Sequence, residues 1–280
     1  MITLLDVLKK STLFLEERGV KDARLSAEWI LAHALDIKRL DLYLQFERPL
    51  QEVELVKIRE GVKRRANREP LQYILGTVEF YGVTLKTDAR ALIPRPETEY
   101  LIELLHTRYL NREPTRILDL GTGSGAIAIA LLNVFPETKA LAVDQSVEAL
   151  ALAVENAQQG KGFERMKFKV SNWFESVDGH FELIVSNPPY LTDAEMKSAE
   201  PEVSKYEPAQ ALSGGKDGQK DLNVIIDEGY SYLVEGGMLV LETGIAQHAS
   251  LIERAKKAGF ASMESVKDLN HRDRYLIGLR

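Results

Sequence analysis

With no cysteine among its 280 residues, the chain excludes disulfides, thiolate metal sites and a cysteine nucleophile. At 45% hydrophobic and 28% charged it reads as a soluble globular protein with room for two cores, and no apolar run approaches the ~20 residues of a membrane span. The charge is uneven: residues 1–75 carry a net +2 and the remainder −8, which argues against a long polyanion footprint on the larger part.

The five histidines are scattered, none at a metal-ligand spacing, so no metal is expected. The opening Met1-Ile2-Thr3-Leu4-Leu5-Asp6 has neither the basic region nor the cleavage site of a signal peptide, and a cytoplasmic location is the expectation. The stripe Leu4, Leu5, Leu8, Phe14 and Leu15 predicts a helix that Gly19 ends. Asp22 is the predicted cap of a second helix, whose core face takes in Leu25, Trp29, Ile30 and Leu35. A short piece over Leu40–Phe46 stops before Pro49. Gln51–Ala66 resumes with Val53, Val56, Ile58 and Val62 inward. Residues 1–75 thus form a small all-helical domain without legible chemistry, best suited to recognition. Its basic run, Lys57, Arg59, Lys63, Arg64, Arg65 and Arg68, is either a solvated helix face or a contact for an acidic partner.

Residues 76–95 read as a linker containing a β-hairpin, Val78–Phe80 and Val83–Lys86 about Tyr81-Gly82. Leu92-Ile93-Pro94-Arg95-Pro96-Glu97-Thr98-Glu99 then opens a helix. Pro96 suits its first turn and the acidic pair its positive end. Arg95 between two prolines is stiff for a mere cap, so this loop is expected to line a site.

Over residues 96–280 apolar strands alternate with amphipathic helices, the pattern of an α/β doubly wound parallel sheet. Seven strands are predicted: Ile117–Leu120, Ala140–Val143, Lys167–Val170, Phe181–Val185, Met238–Glu242, Ser262–Val266 and Tyr275–Leu279. Gly121-Thr122-Gly123-Ser124-Gly125 between the first strand and its helix lets backbone amides approach a ligand at a helix N-terminus. Asp144 closes the second strand, where a carboxylate accepts ribose hydroxyls or caps the helix near Ser146. The loop also satisfies the relaxed dinucleotide pattern, but Asp119 tips the choice. Its carboxylate repels a pyrophosphate and welcomes an ammonium, which favours a nucleoside with a zwitterionic tail, S-adenosylmethionine. Trp173 after the third strand either flanks the adenine or is core.

Phe181–Val185 runs into Ser186-Asn187-Pro188-Pro189-Tyr190. The prolines stop the strand and stiffen Asn187, whose amide is complementary to a planar amide or an aminopurine edge, with Tyr190 as a flat wall beside it. Together these motifs resemble the class I S-adenosylmethionine-dependent methyltransferases. Further segments, Pro70–Gly76, Glu79–Gly82, Leu92–Glu99, Tyr206-Glu207-Pro208 and Asp268–Arg274, resemble the release-factor glutamine methyltransferases over the whole chain. The resemblance implies a class I (Rossmann-like) fold. It also implies methyl transfer to N5 of the glutamine in the Gly-Gly-Gln motif of class I peptide chain release factors, with S-adenosylhomocysteine as product. A monomer needing neither membrane nor direct nucleic acid is expected.

Carried onto this chain, Gly121, Thr122, Gly123, Ser124 and Gly125 would cradle the cofactor's methionine end, with Asp119 nearby. Asp144 would hold the ribose and Trp173 border the adenine. Asn187, Pro188, Pro189 and Tyr190 would bind the glutamine, with Asn187 also beside the cofactor. Asn172 stands where many relatives are expected to carry an acidic residue, and no role is transferred to it. An adenine N6 methyltransferase acting on DNA or RNA is the rival reading, since an exocyclic amine fits the same corner. A non-catalytic S-adenosylmethionine-binding adaptor has no use for an intact Asn-Pro-Pro-Tyr, and an NAD-dependent dehydrogenase has no hydride-transfer site here.

Overall fold

The computed structural model describes residues 2–280 and divides into two compact units, Met1–Thr77 with Glu200–Tyr206, and Val78–Ala199 with Glu207–Arg280. In the first unit, helix α1 (Leu4–Glu17) starts at a capping box, Thr3 and Asp6 each bonding the other's backbone N–H, and Gly19 follows it at φ +70°. Helices α2 (Ala23–Leu35), α3 (Glu52–Ala66) and the short α4 (Leu71–Leu75) complete the bundle, whose core includes Leu4, Leu8, Leu15, Ile30, Leu31, Ile58 and Val62.

Three expectations for this unit are corrected. Asp22 is left-handed (φ +50°) and makes no side-chain cap. Leu25, Trp29, Val53 and Val56 face out, at 42%, 41%, 62% and 53% exposure. At the helix crossing a Cβ on Gly61 of α3 would lie 2.7 Å from Ile30 of α2, so the bare glycine makes room for that side chain, and Ile30 and Leu31 fill the interior in place of Leu25 and Trp29. The basic run, finally, is largely spent inside the unit. Arg64 pairs with Glu69, Arg59 with Glu52, and Arg68 with Glu200 and Glu202. Arg65 is buried, binding Glu202 at 2.9 Å, the Ser26 hydroxyl at 3.3 Å and the Glu69 carbonyl at 3.0 Å.

The second unit begins with the hairpin β1 (Thr77–Phe80) and β2 (Val83–Lys86), followed by α5 (Pro96–Arg108). Then come β3 (Arg116–Leu120), α6 (Ala126–Val134), β4 (Lys139–Asp144), α7 (Val147–Gln159), β5 (Met166–Val170) and β6 (Phe181–Ser186). Short helices α8 (Asp193–Ser198) and α9 (Pro201–Tyr206, counted with the first unit) precede α10 (Lys220–Tyr232), β7 (Leu233–Glu242), α11 (His248–Ala258), β8 (Ser262–Lys267) and β9 (Asp273–Leu279). The sheet order is β5-β4-β3-β6-β7-β9-β8. β3 to β7 are parallel as expected, but β9 runs antiparallel to both neighbours. A link of only five residues separates it from β8, too short for the crossover that parallel neighbours require.

Alternation along the strands splits the core. Ile117, Leu183 and Val185 meet α5 and α6 on one face, while Leu118, Leu120 and Ile184 meet α10 and α11 on the other. Each such fully buried Leu or Ile contributes about 1.5–3 kcal/mol. Among the described residues no helix is long and apolar enough to cross a membrane.

Candidate active site

Sheet register decides which side chains meet. Leu120 at the end of β3 pairs with Val143 of β4 on one side and Ser186 of β6 on the other. Asp144 pairs with Val170 of β5, and Ser186 with Leu241 of β7. The residues that end or follow these strands therefore stand in one row: Ser171–Trp173, Asp144, Gly121–Gly125, Asn187–Tyr190 and Glu242. Chain order reverses between β3 and β6, the point at which a crevice opens at the carboxyl ends of such a sheet.

A cleft with a cavity volume of about 140 Å³, open to solvent, lies over this row. Gly121–Ser124, Asp144, Trp173, Asn187 and Pro189 line it, as do Arg90–Leu92, Pro94 and Thr98 of the stiff loop. That loop lines the site because Glu207, itself buried, accepts the Ile93 N–H at 3.1 Å and an Arg95 guanidinium N–H at 2.5 Å.

The glycine loop is held by its neighbours. Thr122 donates its N–H to the Val143 carbonyl (2.9 Å), and Gly123 donates to Asp144 Oδ2 (2.9 Å). Gly125 sits at φ +82° with α7 so near that a Cβ would approach Ala153 to 3.2 Å. Gly121 is left-handed at φ +68°, and the Trp173 ring lies beside it, 3.4 Å from where a Cβ would stand. Trp173 packs partly into the core under α10, its Nε1 donates to Asp221 at 3.2 Å, and it also lines the cleft.

Asp144 is half-buried at the cleft wall, and its Oδ1 accepts the Ser146 N–H at 2.9 Å. Burial raises its pKa, opposed by the N–H groups of Ser146, Gly123 and Gln145. A carboxylate offers about four acceptor sites, so capacity for a further donor remains.

Two expectations change here. Asp119, predicted to face an ammonium, is fully buried and does not line the cleft. Its Oδ2 accepts the Thr122 hydroxyl (2.7 Å) and the Ala128 N–H (3.2 Å), so it caps α6, whose N-cap Gly125 has no side chain to do so. Burial pushes its carboxyl up to about 7, and its Oδ1 has no hydrogen-bond partner among the described residues. Tyr190, expected as a wall of the site, and Pro188 are also absent from the cleft lining. The Tyr190 ring packs into the α10–α11 core beneath the Arg274 guanidinium, and its hydroxyl donates to Glu242 at 3.0 Å.

Asn187 does reach the cleft. Its Nδ2 donates to Thr98 Oγ1 at 3.1 Å, and Thr98 donates to Glu242 Oε2 at 2.7 Å. Gln247 donates to the Tyr190 carbonyl at 2.9 Å and holds the turn from behind. Sequence reading missed Thr98, Glu242 and Gln247. Glu242 carried one signal, a charged residue closing an apolar strand at the carboxyl edge of the sheet.

The site's residues suit S-adenosylmethionine: a glycine cradle with positive φ, a wall carboxylate with acceptor capacity to spare, and an indole among the lining. The chain matches the family described as PrmC N-terminal domain over residues 6–76 and that described as Methyltransferase small domain over residues 96–203. It is 41% identical to a release factor glutamine methyltransferase of Geobacter sulfurreducens, over 99% of this chain and 96% of the relative. It is 38% identical to one of Deinococcus radiodurans, over 99% and 98%. Among solved structures, a methyltransferase from Pyrococcus furiosus superimposes with a TM-score of 0.51 at 19% identity, covering 71% of this chain and 89% of that one. That likeness supports the class I methyltransferase fold.

Proposed function

This chain belongs to the release factor glutamine methyltransferase family, and from that premise we propose that it moves a methyl group from S-adenosylmethionine to the side-chain amide nitrogen of a release-factor glutamine. The glutamine is that of the Gly-Gly-Gln motif of class I factors. The observation that carries the reading is Asn187. Its amide nitrogen is occupied by Thr98, while its Oδ1 has no partner among the described residues and stands at the cleft.

The cofactor supplies a methyl group on a sulfonium whose leaving group is a neutral thioether, needing no acid. Amides of the Gly121–Gly125 loop cradle its amino-acid end, Asp144 accepts its ribose hydroxyls, and Trp173 borders its adenine. Asn187 Oδ1, at the cleft, accepts an N–H of the substrate amide. As that nitrogen turns tetrahedral its N–H bonds gain positive character, so this acceptor strengthens in the transition state. Pro189 closes the wall beside it, and Tyr190 anchors the turn by its hydroxyl. Orientation then does most of the chemistry, since an amide lone pair is delocalised and the nearest buried carboxylate, Glu242, is already engaged by Thr98 and Tyr190.

Incubation with methyl-labelled cofactor and a purified release factor, followed by peptide mapping, is expected to place the label on the Gly-Gly-Gln glutamine. Label on adenine of added DNA or RNA, with the factor unlabelled, would establish the rival activity. Asp144→Ala is expected to weaken S-adenosylhomocysteine binding by about 2–4 kcal/mol, the worth of two charge-assisted hydrogen bonds discounted for water. Unchanged affinity by calorimetry would confine Asp144 to bracing Gly123 and Ser146.

A further inference from the structure

We infer that Thr98 and Glu242 are positioning residues that fix which end of the Asn187 amide meets the substrate, an inference that rests on the glutamine reading above. An asparagine amide can turn over, presenting either its oxygen or its NH2. Only the oxygen serves a substrate that itself offers N–H groups.

Counting donors settles the orientation. Arg274 has only donors, and its Nη1 lies 3.4 Å from the Tyr190 hydroxyl, so Tyr190 accepts there and donates onward to Glu242. Ionised Glu242 only accepts, and takes the single Thr98 hydroxyl hydrogen on its other oxygen. The Thr98 oxygen can then only accept, and among the described residues the one donor before it is Asn187 Nδ2. Every bond points towards Glu242, which leaves Oδ1 facing the cleft. Thr98 and Glu242 are 4% and 1% exposed, so water does not compete for these bonds. The residues come from three elements, the first turn of α5, the turn after β6 and the end of β7, and Arg274 from a fourth, β9.

Protonation undoes the arrangement. Burial raises the Glu242 pKa, opposed by Thr98, Tyr190 and the Arg274 charge, with Glu97 raising it further; Tyr275 feels Glu242 from β9. Once protonated, the carboxyl can donate to Thr98, whose hydroxyl is freed to donate to Asn187 Oδ1 and so turn the NH2 to the substrate. The active form is the ionised one. Turnover is therefore present above the raised pKa and lost as pH falls through it, sooner than for an ordinary glutamate.

The test compares wild type, Thr98→Val, Thr98→Ser and Glu242→Gln on an intact release factor across pH. Thr98→Val is expected to lower kcat about 100-fold, as loss of a preorganised polar group does. KM for the factor and S-adenosylhomocysteine affinity should stay near wild type, and Thr98→Ser should restore most of kcat. The acidic limb of the wild-type profile should be missing in Glu242→Gln. Wild-type turnover in Thr98→Val, a loss confined to KM, or a serine variant as poor as valine overturns the inference. Should the valine variant not fold, an acidic limb surviving in Glu242→Gln overturns it alone. A readout independent of substrate is the Asn187 side-chain NH2 signal in nitrogen-15 spectra, identified by its absence from Asn187→Asp. It should be protected from exchange in wild type and Thr98→Ser and unprotected in Thr98→Val. Equal exchange in all three overturns the inference even if release factor is not the substrate, whereas failure of wild type to label the factor removes only the substrate reading.

Discussion

Asn187→Ala is expected to cut kcat by roughly 10²–10³-fold, the cost of removing one preorganised polar group from a transition state. The side chain lies at the end of β6, on a turn fixed by two prolines and by Gln247 on the Tyr190 carbonyl, so truncation should not disturb the sheet. S-adenosylhomocysteine affinity should change far less than the rate, because the cofactor is held chiefly by the loop after β3 and by Asp144. A kcat effect without a matching binding effect marks an interaction made in the transition state. Thr98 loses its donor in this variant, but its hydroxyl keeps Glu242 satisfied, so no charge is left bare. Turnover within a few-fold of wild type, measured by label transfer to the release factor, would remove Asn187 from the chemistry.

How much of this was legible depended on how far apart in the chain the partners lie. The glycine loop, Asp144, and Asn187 with its prolines are local signals at strand ends, and the sheet register brings them together as their positions imply. Asp119 was visible as a carboxylate before a glycine loop, but its partner, the Ala128 N–H, becomes apparent only once α6 folds back over β3. Thr98 and Glu242 are 144 residues apart, and each alone reads as something ordinary, a helix start and a strand end. The direction of β9 follows from a short link, which strand spacing could have suggested. Burial in the helical unit was harder, because the α2–α3 crossing at Gly61 is filled by Ile30 and leaves Trp29 outside, a fit that the periodicity of either helix alone does not show.

The same limit applies to the basic run, where a string of like charges reads as a surface although one member is core. Arg65→Glu is expected to destabilise the fold by roughly 3–5 kcal/mol, the cost of breaking a buried, hydrogen-bonded charge pair. Three groups lose their donor at once: the Glu202 carboxylate, the Ser26 hydroxyl and the Glu69 carbonyl. The new carboxylate would stand beside Glu202, leaving Arg68 as that residue's remaining counter-charge. Lys63→Glu, at an exposed position with no ion pair among the described residues, should shift stability by no more than about 0.5 kcal/mol. Urea midpoints for the two variants measure the contrast, and equal midpoints would return Arg65 to the solvated surface. A joint reversal of Lys63, Arg64 and Arg65 would report on folding before it reported on partners. Any contact of this helix with an acidic partner is instead to be sought on its exposed strip, where Lys57 and Lys63 stand with Val53 and Val56. Reversing those two lysines leaves the buried pairs whole, so slower methylation of an intact factor, with a short Gly-Gly-Gln peptide unaffected, would then be a docking effect.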